Sequence, residues 1–265
     1  MNPRLQAVFA HAAREGRAAL IGYFPAGFPT PEASVRLVAA MVRGGVDLVE
    51  VGLPYSDPLM DGPVIQAAVE AALEAGTTTE VVLDTVGRIS ELGAVPVVMS
   101  YWNPIERYGI ERFASRLADV GGVGVITPDL TPEEADDWIV ATDAYEIDRT
   151  FLIAPSSSEA RITRVAQVTS GFLYAASTMG VTGVRDQVSD AAPTLVARAR
   201  AVTDAPIGVG LGVSTGAQAA GVASYADGVI VGSAFLRAVQ EATDVAAAEA
   251  AVERLAAELA AGVRT

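Results

Sequence analysis

Short β-rich runs alternate with helical patterns along the whole chain, and this alternation constrains the fold more than any other feature. The runs fall at residues 19–24, 47–51, 95–101, 122–126, 146–153, 171–176, 206–210 and 228–231. They recur at roughly 30 residues per unit, the size of a βα repeat. Eight such units in 265 residues predict an α/β fold, a single (β/α)8 TIM barrel over 1–265 with an N-terminal helix and extra helices in its loops. The runs are nearly all apolar, as strands covered on both faces should be. The rival is an open doubly wound sheet, which would carry a glycine-rich turn after its first strand. Phe24 instead runs into Pro25, Ala26, Gly27 and Phe28. Gly208, Gly210 and Gly212 come close to a dinucleotide fingerprint, but Val213 or Thr215 stands where its last glycine belongs. Pro31, Pro132 and Ser158 sit at plausible helix starts. Residues 244–261 read as an alanine-rich helix closing the barrel.

Composition then narrows the chemistry. Thirty-two acids against 18 bases give a formal net charge of −14, which argues against nucleic acid as a partner. No apolar run approaches the ~20 residues that span a bilayer, and the first twenty residues lack the core of a secretory signal. The absence of cysteine fits a cytoplasmic protein and excludes thiol nucleophiles. All 18 bases are arginine, and His11 is the single histidine. Without lysine the chain cannot form a Schiff base or anchor pyridoxal phosphate. One histidine excludes a three-histidine zinc site, and no metal is expected. His11, in the N-terminal helix, reads as structural or exposed. Chemistry must rest on carboxylates, hydroxyls and backbone dipoles.

Barrel chemistry sits at the C-terminal ends of the strands, and there the informative residues cluster. Glu50 is a carboxylate inside the apolar second strand, where desolvation should raise its pKa and suit it to give and take a proton. The alternative is a glutamate paired with an arginine. Asp57 before Pro58 reads as a turn former. Asp61 is the better candidate for substrate contact, the alternative being an N-cap for the helix near Pro63. After the last two strands, VGLGVSTG and IVGSAFL place glycines directly before helical stretches. Gly210, Gly212, Gly232 and Ser233 therefore suit a phosphate cradle built from backbone N–H groups, or else tight packing of turn on strand. The long loop STMGVTGVRDQVSD after the sixth strand suggests a lid. Tyr23 and Tyr174, near the ends of the first and sixth strands, suit a pocket wall or plain core.

In order and spacing, VEVGLPYSDPLMDGPVIQ, YAASTMGVTG, GLGVS and VGSA resemble the tryptophan synthase alpha chain family over nearly the whole chain. The resemblance implies a lyase that cleaves indole-3-glycerol phosphate to indole and glyceraldehyde 3-phosphate by a retro-aldol step. It matches Glu50 to the family's general acid–base, Asp61 to the partner of the indole nitrogen, and Tyr174 to a neighbouring active-site tyrosine. Thr182 matches a lid threonine, and Gly183, Gly212, Gly232 and Ser233 match the phosphate site. Tyr23, Met99, Tyr101 and Ile126 fall where the family lines its indole pocket. Tyr23 and Tyr55 replace a common phenylalanine, Met60 a small residue, and Thr178 an arginine of some members. The resemblance also implies an alpha2beta2 heterotetramer with a beta chain that carries pyridoxal phosphate, this chain carrying no cofactor. Two other readings compete: a different phosphate-sugar barrel, disfavoured by the lack of lysine, and a non-catalytic barrel, disfavoured by Glu50 and Asp61 together.

Overall fold

The computed structural model describes residues 1–176, 191–210 and 212–264. Among them the strands are β1 (Ala19–Pro25), β2 (Leu48–Gly52), β3 (Pro96–Met99), β4 (Gly124–Ile126), β5 (Asp148–Thr150), β6 (Leu152–Ile153), β7 (Leu173–Ala176), β8 (Ile207–Gly210) and β9 (Gly228–Val231). All pair in parallel, in the order β5-β4-β3-β2-β1-β9-β8-β7-β6. The two ends of that order are consecutive in the chain, separated only by Phe151. The Tyr174 N–H donates to the Phe151 carbonyl at 3.1 Å. The fifth predicted run is thus broken into β5 and β6, which accounts for nine strands where eight were expected, and the sheet wraps into a barrel. The predicted run also began too early. Glu146 has φ 54°, outside the extended region.

Among the described residues twelve α-helices flank these strands. The N-terminal helix α1 (Pro3–Arg14) precedes β1 and α2 (Pro31–Arg43) follows it. Two helices follow β2, α3 (Pro63–Glu74) and α4 (Thr79–Glu91), and two follow β3, α5 (Trp102–Tyr108) and α6 (Ile110–Asp119). The helix start expected at Pro132 is a 3-10 turn, Pro132–Glu134, that leads into α7 (Asp136–Ala144). The remainder are α8 (Glu159–Val168), α9 (Ala191–Arg200), α10 (Gly216–Ala223), α11 (Ser233–Gln240) and α12 (Val245–Gly262). Their starts obey local chemistry. Thr30 caps α2 ahead of Pro31, Ser158 caps α8, and Asp244 caps the alanine-rich α12, which packs on α2, α10 and α11.

The inside of the barrel is layered along the strands. Side chains two apart share a face, and Ala19, Ile21, Leu48, Val97, Phe172 and Ile230 form one buried interior cluster with Leu5 and Phe9 of α1. Helix α1 therefore plugs the N-terminal end of the barrel, with Phe9 and Phe172 rings 5.6 Å apart. One step further along the same faces, Ile21 gives way to Tyr23, Leu48 to Glu50, Val97 to Met99 and Phe172 to Tyr174. The interior thus turns from hydrocarbon to polar groups at its C-terminal mouth. Among the described residues no helix is long and apolar enough to cross a membrane.

Candidate active site

Glu50 is fully buried, and neither carboxylate oxygen has a hydrogen-bond partner among the described residues. The arginine-paired alternative is therefore excluded there. Its strand neighbours in register are Tyr23 on β1 and Val97 on β3. Burial with nothing to stabilise the charge pushes its carboxyl up to about 8. A group titrating there can both donate and accept a proton at neutral pH.

Asp61 lies in the loop after β2, half-buried. It is not the N-cap of α3; that position is Gly62, with no side-chain bond to the helix. Burial raises the Asp61 pKa, and a hydrogen bond from the Tyr101 hydroxyl (3.2 Å) opposes the rise. The same hydroxyl accepts from the Met60 N–H at 3.0 Å, so Tyr101 fixes two consecutive loop residues. Tyr101 was expected inside the third strand. It instead follows that strand as the N-cap of α5, which lets its ring turn across the mouth. Tyr55 lies against it, ring centroids 5.5 Å apart, and accepts from Asn103 Nδ2 at 3.0 Å. Asp57 accepts from the Ser56 hydroxyl at 2.5 Å, within the same loop.

Tyr23 and Tyr174 complete the mouth. Burial drives both phenols well above their ordinary pKa, and the negative charges of Asp61 and Glu50 push the same way. Both hydroxyls therefore stay protonated at neutral pH. Met99 is half-buried and Ile126 fully buried, both packed on the interior cluster. His11 is exposed on α1 and faces Glu15 at 3.4 Å, at the opposite end of the barrel.

The glycine turns stand beside this cluster. Gly212 has φ +70°, a conformation that side chains rarely adopt. Gly232 is the N-cap of α11 and offers no side-chain acceptor; its carbonyl accepts from the Phe235 N–H at 3.0 Å, which leaves the Ser233 and Ala234 N–H groups as the ones the helix itself does not use. A Cβ at Gly232 would meet Tyr23 Cδ1 at 3.2 Å, which places this turn against the polar mouth. Gly210 ends β8 and comes close to Tyr174. Thr182, Gly183 and Thr178 lie outside the described residues. The sequence reading missed Asp129, which accepts from the Trp102 N–H at 2.9 Å. A Pro128-Asp129 pair just past a barrel strand was the available signal.

Residues 9–264 match the family described as Tryptophan synthase alpha chain. The chain is 59% identical over 263 residues to the tryptophan synthase alpha chain of Thermobifida fusca, covering 98% of this chain and 97% of that one. It is 58% identical over 262 residues to that of Nocardia farcinica, covering 99% and 96%. Among solved structures, a chain of Mycobacterium tuberculosis tryptophan synthase superposes with a TM-score of 0.93 at 52% identity, over 100% of both chains.

Proposed function

The chain belongs to the tryptophan synthase alpha chain family, and from that premise we propose which of its residues perform the family's reaction. The enzyme is a carbon–carbon lyase that cleaves indole-3-glycerol phosphate to indole and D-glyceraldehyde 3-phosphate in tryptophan biosynthesis. It partners a beta chain in an alpha2beta2 complex, and pyridoxal phosphate resides on that beta chain. This chain has no lysine to hold the cofactor.

Glu50 is the acid–base. In its protonated form it gives a proton to the indole carbon that bears the side chain, generating an indolenine cation. As a carboxylate it then takes the proton of the hydroxyl on the adjacent carbon. The carbon–carbon bond breaks as that oxygen becomes the aldehyde, and the electron pair returns to the ring to release neutral indole. Glu50 ends protonated, as it began. Asp61 stabilises the cation from the side of the ring N–H, with Tyr101 holding its carboxylate. Tyr174, Tyr23, Met99 and Ile126 wall the indole. Gly212, Gly232 and Ser233 cradle the phosphate through backbone N–H groups, with Gly210 giving them room. Gly183 joins that cradle and Thr182 serves the lid by family resemblance.

The observation that carries this reading is the unpartnered, fully buried Glu50 carboxyl at the polar mouth. The chain works as one domain over 1–265, in the cytoplasm. The test is steady-state indole release from indole-3-glycerol phosphate by the wild type, Glu50→Gln and Asp61→Asn. Loss of a positioned acid–base costs ~10²–10⁴ in rate. Near-normal release by Glu50→Gln refutes the assignment.

A further inference from the structure

The first turn of α5 is tied to loops on both of its sides. Asp129 stands just past β4, and its Oδ1 accepts the Trp102 N–H, the first of the helix. Tyr101, the N-cap, brings no side-chain acceptor to its own helix. Asp129 thus supplies from a neighbouring loop an acceptor for one of the first-turn N–H groups that have no partner within the helix. On the other side Asn103 donates to the Tyr55 hydroxyl, and Tyr101 bridges Met60 and Asp61. Helix α5 has only seven residues, too few to fix its own start without tertiary ties. The Tyr101–Asp61 contact, at 3.2 Å, is already long for an O–H···O bond. A shift of a few tenths of an ångström at Tyr101 breaks it.

We propose that Asp129 is a positioning residue for the lyase reaction: by holding the Trp102 N–H it fixes the backbone on which Tyr101 presents its hydroxyl to Asp61. The inference rests on the role given to Asp61 above. Asp129 touches no reacting atom. Its effect runs through one backbone amide and one phenol, and this makes the effect separable from general stability.

The test is a mutant cycle read by indole release from the full chain, with melting temperatures to confirm folding. Asp129→Ala should lower kcat about tenfold with KM little changed, a modest share of what misplacing a catalytic group can cost. Asp129→Asn, whose amide oxygen still accepts a hydrogen bond, should restore most of the rate. In a Tyr101→Phe background Asp129→Ala should add no further loss, because coupled residues act as one. A loss of equal size in both backgrounds, an unchanged kcat, or failure of Asp129→Asn to rescue overturns the proposal. Should Asp129→Ala not fold, Asp129→Ser withdraws the acceptor more gently and enters the same cycle. Impaired Asp61→Asn beside unimpaired Asp129→Ala overturns this inference alone. Unimpaired Asp61→Asn overturns the reading of Asp61, and this inference with it.

Discussion

A methyl group on Gly52 would lie 2.5 Å from the hydroxyl oxygen of Tyr23 and 2.7 Å from two of its ring carbons. The two residues sit on adjacent strands, β2 and β1. Across the mouth Gly210 and Tyr174 repeat the arrangement, with 2.4 Å between a Cβ and the phenol oxygen. In each pair a strand gives up its side chain so that a neighbouring tyrosine can lean over the carboxylates. The reactive end of the barrel is shaped by what its glycines leave out.

Gly52→Ala should therefore force the buried Tyr23 ring off its place. Overpacking of this kind costs ~1–3 kcal/mol. The melting temperature should fall, and indole release should slow because Tyr23 also packs against the Gly232 turn. An alanine variant that melts and turns over like the wild type would refute this account of the mouth.

Glu50 should weaken the fold as pH rises. Its carboxyl titrates at about 8 in the folded chain and near 4.3 when unfolded. Below the lower value both states hold the proton. Between the two, the unfolded chain releases it and the folded chain does not, so native stability falls by ~1.4 kcal/mol per pH unit at most. Glutamine cannot ionise. The melting temperature of Glu50→Gln relative to wild type should climb from pH 5 to pH 8, while its activity stays lost. A difference independent of pH would mean that Glu50 is not held protonated.

Periodicity made the barrel legible because every strand repeats one local pattern, and the layer carrying Glu50 could be found by counting twos. The break at Phe151 could not. The run EIDRTFLI is β-rich throughout, and its split shows only where the sheet's two ends meet around Phe151. Arg149, buried in β5 and hydrogen-bonded to Thr142 and Asp143, gives no local sign of its partners. Glu50 and Asp61 were readable as misplaced carboxylates. Tyr101 was readable only as pocket wall, since its bonds to Met60 and Asp61 join residues some forty positions apart.

Tyr101→Phe should move the acid limb of the rate profile. The phenol's hydrogen bond lowers the Asp61 pKa against the upward push of burial. Removing it leaves burial unopposed, so Asp61 should titrate higher. The reaction needs Asp61 ionised, and activity should then fall off at a higher pH as the solution is acidified. Profiles of kcat/KM for the two proteins decide this, and superimposable acid limbs would refute it.

The phosphate should be held by backbone and not by cations, since GLGVS and VGSA contain no arginine. Gly212→Asp places a carboxylate in the proposed cradle and forces an L side chain into φ +70°. Binding of glyceraldehyde 3-phosphate should be abolished. Ser233→Ala, which keeps every N–H, should weaken binding far less. Inorganic phosphate competing equally well against wild type and Gly212→Asp would show that the cradle lies elsewhere.

The beta chain should raise the rate of this subunit through the loop after β2. Leu59 in that loop is 74% exposed, next to Met60 and Asp61, which Tyr101 holds from behind. An apolar side chain at the rim of an active site is a ready contact for a partner docking on the mouth. Docking there would favour the loop arrangement in which Asp61 meets the indole nitrogen, a shift of population that costs the partner little. A gain of ~10-fold needs only about 1.4 kcal/mol of preference for that arrangement, within the usual range of coupling between sites. The isolated chain should accordingly be a weak lyase that gains ~10-fold or more at saturating beta chain. Leu59→Ser should leave the isolated rate unchanged and raise the beta-chain concentration needed for half-maximal activation. Titration of the beta chain into the indole-release assay measures both. An unchanged rate at saturation refutes the coupling, and an unchanged midpoint for Leu59→Ser refutes the docking face.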